Sequence, residues 1–452
     1  MAVADRVGHP LHPLIGHQYL RLASGDGVYV TDEAGRTYLD AVAGVGVMSL
    51  GYGREDLIAA AAEQASRIPY VHSMRFENDA QERLASKLAA FAPPGLNWAF
   101  FCSGGSEALD SAVKLVRQYW LDRGQPAKSK VIGRRPSFHG NTLFALSVGY
   151  HAARRERYLP YLVDLPHVRA PWTYRCEHGD EMAGPYCDDC SGRALDALIE
   201  AEGPDTVAAF IAEPIVGAAA PAVTPPPGYY ETVREICDRH DVLFISDEVM
   251  AGVGRTGRNF GIQHWDAEPD LMLVAKGISG GYASLAAVVV HDRVIEVMRA
   301  AAGRFEHNFT MAGNPVACAV GAAALEAIER EGIVDHVAGL EAEFFAQLDG
   351  LRRHPIVGDV RGKGLMAGIE LVQPGGKEPF AASLGVAGQI DRAARELGLL
   401  VYPCSGIVDG RQGDAILLLP PLILDRAQMA ELVDKLDTAL ERVSAAVAST
   451  AA

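Results

Sequence analysis

The sequence predicts an α/β protein: a large domain built on a mainly parallel sheet, followed by a smaller α+β domain. Three observations carry this expectation. Between Asn97 and Gly277, short apolar runs alternate with helical stretches; the runs are "NWAFFC", "SKVIGR", "TVAAFIAEP", "DVLFISDEV" and "DLMLVAKG". Runs this short, separated by amphipathic segments, read as buried parallel strands joined by crossover helices. The chain has 452 residues, and single hydrophobic cores stop growing at roughly 250–300. Near residue 330 the alternation gives way to a long helix, a hairpin, a second helix and a last apolar run.

In order, "GVYVTDEAGRTYLDAVAG" alternates in polarity and turns at Ala34-Gly35, which predicts a hairpin. "REDLIAAAAEQASRI" and "NDAQERLASKLAAF" repeat apolar residues at helical spacing. The five apolar runs follow. In the last part, "EGIVDHVAGLEAEFFAQLDGL" predicts a helix, "VGDVRGKGLMAGIELV" a hairpin, "AGQIDRAARELGLLV" a helix and "AILLLPPLIL" a final strand. The expected division is residues 1–60 packing with the small domain, 61–331 forming the large domain and 332–452 the small one.

Composition narrows the function. Hydrophobic residues are 49% and charged residues 22%, ordinary for a globular enzyme. A net charge of −16 argues against a nucleic-acid or anionic-membrane partner. No apolar run approaches the roughly 20 residues of a membrane helix, and "MAVADRVGHPLHPLIG" lacks the plan of a signal peptide. Seven cysteines, an odd number and most of them scattered, fit reduced thiols and a cytoplasmic protein.

Ligands of open α/β sheets bind beyond the carboxyl ends of the strands, and the residues there form one constellation. Ser103-Gly104-Gly105-Ser106 leads into a helix, offering bare N–H groups and a positive dipole end to an anion. Phe138 and His139 end the next run, and the Phe138 ring could stack on a planar group. Glu213 ends the third, Asp247 and Glu248 the fourth, and Lys276 the fifth. A lysine at the end of a buried strand loses charge by desolvation, the property of Schiff-base and general-base lysines. An anion cup, a stacking ring, a carboxylate and an amine together suit pyridoxal 5'-phosphate: phosphate, pyridine ring, ring nitrogen and aldehyde each find a partner. Side chains two apart on a strand share a face. Asp247 and Val249 therefore point the same way, so an acid for the ring nitrogen and an apolar residue beneath the ring can come from one face, while Glu248 points away.

At these residues the chain resembles the class III pyridoxal-phosphate-dependent aminotransferases, of the aspartate-aminotransferase-like fold type I with its seven-stranded sheet. The likeness runs through "SGGSEALDSAVKLVR", "FHGNT", "AEPIVG", "DEVMAGVGRTGRNFG", "AKGISGGY" and "HNFTMAGNPVACA". It implies that Lys276 bonds the cofactor aldehyde and shuttles the proton, and that Asp247 pairs with the pyridine nitrogen. Gly105 and Ser106 would hold the phosphate, Phe138 and Val249 would flank the ring, with His139 beside them, and Glu213 would support the network. Thr310 would reach the phosphate in a neighbouring subunit, which implies a homodimer, or a tetramer of such dimers, with shared sites. The implied reaction moves nitrogen from an amine or ω-amino acid to a keto acid, such as pyruvate, in ping-pong order. An aminomutase or amino-acid racemase on the same fold is the alternative.

Three places depart from the family pattern or stand outside it. Gly46 stands where many relatives carry a bulky aromatic, which suggests a wall of the substrate pocket pulled back. Arg411 lies near the place of a carboxylate-binding arginine, but in a longer segment, so an exposed loop arginine is expected. Finally, "RCEHGDEMAGPYCDDC" gathers Cys176, His178, Cys187 and Cys190. Zinc is one reading. The spacing is not that of a common finger and the cofactor needs no metal, so free thiols on a surface insertion are expected.

Overall fold

The structure, a computed structural model, describes residues 10–176 and 186–451. Its centre is a seven-stranded sheet. In spatial order the strands are Trp98–Cys102, Ala286–Val290, Leu271–Val274, Leu243–Asp247, Val207–Ala212, Lys130–Arg135 and His167–Arg169. Neighbours from Leu271–Val274 to His167–Arg169 pair in parallel, while Ala286–Val290 runs antiparallel to both of its neighbours. The sheet is therefore mainly parallel, as fold type I requires. The runs Val207–Ala212 and Leu271–Val274 are buried at every position. Helices cover both faces, so these strands read as unbroken apolar runs.

The helix Gly105–Asp122 shows how the sequence places one such cover. Its buried side chains, Ala108, Leu109, Ala112, Leu115, Val116, Tyr119 and Trp120, recur at helical spacing and form a stripe against the sheet. The Trp120 indole N–H donates to the Ala208 carbonyl (2.9 Å), fixing the helix across the neighbouring strand.

The C-terminal part has an antiparallel sheet in the order Val357–Lys363, Met366–Leu371, Asp414–Leu418, Tyr402–Ser405. The expected hairpin forms its first pair. The last strand is followed by a 26-residue helix, Arg426–Ala451, which the sequence reading stopped short of. The early hairpin forms as well, Tyr29–Asp32 with Thr37–Asp40, turning on an Asp32 carboxylate that accepts from the Ala34 and Arg36 amides. Thr37–Asp40 then pairs in parallel with Leu399–Leu400. Backbone bonds from Leu419 to Ala41 (2.8 Å) and from Leu422 to Ser49 (2.7 Å) tie the N-terminal segment further to the C-terminal part. Buried Arg255, in the glycine-rich loop after Asp247, donates to the carbonyls of Leu365 and Pro420. Among the described residues, no helix is long and apolar enough to cross a membrane.

Candidate active site

The carboxyl ends of the strands open into one cleft of about 550 Å³. It collects Gly105, Ser106, Phe138, His139, Glu213, Asp247, Val249 and Lys276, eight residues from five separate stretches of the sequence. Thr310 is not on its wall. That residue is exposed, and its carbonyl accepts from the Tyr70 hydroxyl (2.9 Å).

The end of Leu243–Asp247 separates its acids as strand period demands. Asp247 Oδ1 accepts from the Val249 amide (3.1 Å), and Oδ2 lies 2.6 Å from His139 Nδ1. Glu248 turns to the other side, accepting from the amides of Gly261 (2.7 Å) and Ile262 (2.8 Å) and from the Ser246 hydroxyl (3.2 Å). Burial pushes the Glu248 carboxyl up to about 7, against the pull of those hydrogen bonds. Glu213 is held above the usual carboxylate range, first by burial and also by the Asp247 charge, with His139 acting the other way. Its Oε1 accepts from the Gly217 amide (2.9 Å) and its Oε2 from the Phe138 amide (3.3 Å), so it braces the loop that carries the aromatic ring.

Lys276 follows the strand Leu271–Val274 with φ of +49°, a conformation non-glycine residues rarely adopt. Such strain persists where the surroundings over-determine it, often at functional sites. Burial pushes its ammonium down to about 8, although Asp247 and Glu213 act in the opposite sense. Among the described residues its amine has no hydrogen-bonding partner. The helix that starts at Gly105 has Gly104 at its N-cap and no capping side chain, so its first N–H groups face the cleft without a protein acceptor from the cap. The chain passes closely here. Gly140 has φ of +134°, and a Cβ there would lie 2.3 Å from Ser106 Oγ. Only glycine lets Asn141 bring its amide to Ser106 Oγ (3.0 Å).

These atoms match the parts of pyridoxal phosphate. The site offers uncapped helix N–H groups for a phosphate, a buried carboxylate for a cationic nitrogen and an unpartnered amine for an aldehyde. His139 Nε2 is also buried without a partner, beside the carboxylate the ring would meet. The residues fit the group.

Several features were not foreseen. Ser279, Tyr282 and Ser284 also line the cleft; the sequence reading quoted "AKGISGGY" only as part of the family likeness and gave these side chains no role. The Arg154 guanidinium lies 4.5 Å from the Phe138 ring centroid, covering one face of that ring. Gly46 requires correction. It has φ of +77° and ends a run of positive φ that includes Ala43, Gly44 and Val45. The backbone itself calls for glycine, and it is Val47 that reaches the cleft wall. Arg411 is an exposed loop residue, its side chain 81% accessible and 3.7 Å from Glu156. Cys176, Cys187 and Cys190 come together, while His178 lies outside the described residues.

Comparison with known proteins agrees with the site. The aminotransferase class-III family profile matches residues 15–440. A putrescine–pyruvate aminotransferase of Pseudomonas aeruginosa is 35% identical over 451 residues, covering 97% of this chain and 95% of its own. An (S)-enantioselective omega-transaminase from Thermomicrobium roseum superposes with a TM-score of 0.90 at 36% identity, covering 96% of each chain. An amine transaminase from an uncultivated Pseudomonas species, in its PLP-bound form, gives 0.88 at 32% identity, covering 97% of this chain and 99% of that one. The chain belongs to the class III aminotransferases. It is a pyridoxal-phosphate-dependent transaminase of fold type I, acting between amine donors and keto acids.

Proposed function

We propose that this transaminase takes nitrogen from amines, diamines or ω-amino acids and delivers it to pyruvate in ping-pong order. The carbonyl product of the donor would leave before the keto acid enters. The observation that carries this reading is one cleft lined by a half-buried lysine, the Asp247–His139 pair and the open N-terminus of a helix. One such cleft serves two substrates in turn. The pairing of a diamine with pyruvate in the name of the P. aeruginosa relative supports the choice of substrates.

Pyridoxal phosphate, when bound, supplies an electrophilic carbonyl for the donor nitrogen and a cationic pyridine that withdraws electrons from the adjacent carbon. The chain's residues do the rest. The N–H groups at Gly105 and Ser106 would hold the phosphate at the helix dipole. Asp247 would keep a proton on the pyridine nitrogen, because a carboxylate in contact with a cation gains several kcal/mol even at an effective dielectric of about 20. His139 Nδ1 and the Val249 amide fix the two Asp247 oxygens and so set its aim. Val249 and Phe138, the latter backed by Arg154, would flank the bound ring. Lys276 would bond the cofactor's aldehyde, and its amine, pushed down to about 8 by burial, would hold and return the proton that moves between donor and acceptor.

The site is completed by a second copy. Thr310 is exposed among exposed apolar side chains, Tyr70, Met74, Phe76 and Met311, and Tyr70 bonds its carbonyl. A patch of this kind marks an interface, and Thr310 would present its hydroxyl to the partner's phosphate in a homodimer, or in a tetramer of such dimers. Reduced thiols, the state expected of the seven cysteines, support a cytoplasmic location.

A donor screen with pyruvate as acceptor, read as alanine formed, tests the reading. Alanine is expected from primary amines and ω-amino acids. If the substrate amino acid is isomerised or racemised and no alanine appears, the aminomutase or racemase reading takes its place.

A further inference from the structure

Away from the cleft, the excursion between the edge strand His167–Arg169 and the helix Ala194–Glu202 carries the three cysteines that the transaminase chemistry leaves unused. The Sγ atoms of Cys176, Cys187 and Cys190 lie within 4.8 Å of one another, and those of Cys176 and Cys187 are 3.4 Å apart. We propose that these three cysteines form a structural zinc site.

The geometry favours a metal over the alternatives. Zinc binds thiolate at about 2.3 Å in tetrahedral sites, which separates its sulfurs by roughly 3.8 Å. The trio needs only small adjustments to meet that spacing around one ion. A disulfide needs its two sulfurs at about 2.05 Å and would strand the third. Cys187 and Cys190 form a Cys-x-x-Cys whose first sulfur accepts from the backbone amide of the second (3.5 Å). A divalent ion would bind the three sulfurs as thiolates and release their protons. The fourth coordination position is completed from outside the trio.

The site would act as a cross-link. Cys176 and Cys187 are 11 residues apart, and the ion would close the segment between them. The segment leading into Cys176 is already anchored to the C-terminal part: Arg175 pairs with the buried Glu370 (2.5 Å), and Lys377 donates to the Tyr174 carbonyl (2.8 Å). Trp172, Arg175 and all three cysteines also border a cavity of about 430 Å³ whose opposite wall is the Gly406–Gly410 loop. A metal here would brace the wall of that cavity formed by the excursion.

Metal content of the full-length, untagged holoenzyme tests the proposal. Mass spectrometry of the dialysed protein should find about one zinc per chain, and Cys176→Ser, Cys187→Ser and Cys190→Ser should each lower it at least tenfold. Replacement of zinc by cobalt in the wild type should give the long-wavelength absorption of tetrahedral thiolate–cobalt, outside the cofactor band. This second measurement does not depend on the variants folding. Zinc absent from the wild type, zinc retained by all three variants, cobalt bound without thiolate bands, or a Cys176–Cys187 disulfide in the protein as isolated would each overturn the proposal.

Discussion

Asp247 and Glu248 are consecutive, carry the same functional group and are 4% and 1% exposed. Their surroundings differ in kind. Asp247 meets an imidazole and one amide at the edge of an open cleft. Glu248 meets two amides and a hydroxyl inside the core, where burial drives its carboxyl up to about 7. A carboxylate that keeps an unfilled side toward a cavity is available to a ligand cation. One whose hydrogen-bonding capacity is spent on the protein serves the fold. What separates the two is side-chain direction, set by a strand whose period is 2.

The largest effect on rate is expected away from both acids. Lys276→Met should abolish transamination, with pyridoxal phosphate retained only non-covalently. Borohydride reduction and peptide mapping of the wild type should label Lys276, and a label on another lysine would break the assignment of the cleft.

The core acid should act on stability alone. Glu248→Ala leaves two buried amides without acceptors, at about 1–3 kcal/mol each. Denaturant unfolding should show a loss of about 2–5 kcal/mol, while the folded fraction keeps its turnover. The same group sets a pH dependence. Its carboxyl titrates near 7 folded and near 4.5 unfolded, so the folded state binds more protons in that window. Stability should fall as pH rises from 4.5 toward 7, and the slope should flatten in Glu248→Gln.

Lys276 supplies the opposite sign. Its folded value of about 8 lies below the ordinary 10.5, so the cofactor-free protein should gain stability as pH rises between those values. In the apo state at pH 7, Lys276→Met should be more stable than wild type by up to about 3 kcal/mol. That advantage should fade as pH approaches 10.5, and thermal unfolding of both apo forms across the window checks it. Thr310→Ala should have the smallest effect, weakening cofactor retention by about 1.5–3 kcal/mol, the worth of a hydrogen bond to a charged group. Mixed dimers with Lys276→Ala should show the loss at the partner's site.

Much of the cleft was legible because each of its residues ends an apolar run, and parallel strands bring such ends together. The pairing of Asp247 with Val249 followed from strand period alone. Other features depend on information a local pattern lacks. An all-apolar strand such as Ala286–Val290 carries no mark of its direction, and three-residue His167–Arg169 is too short to stand out. The positive φ of Lys276 is imposed by packing from distant segments. Gly46 was misread because a missing side chain looks the same in sequence whether it leaves space or permits a left-handed backbone. Arg154 stands 16 residues beyond Phe138, and only the folded chain lays it over the ring. The three cysteines could be counted, but their convergence could not.

The most direct test measures Asp247→Asn and Glu248→Gln side by side, recording the rate of the donor half-reaction and the thermal midpoint of each holoenzyme. Asp247→Asn should lose roughly 10³-fold or more in rate with little change in midpoint, because its place is opposite the cofactor. Glu248→Gln should keep a rate near wild type and lose midpoint. A fast Asp247→Asn beside a slow but thermally unchanged Glu248→Gln would contradict the account.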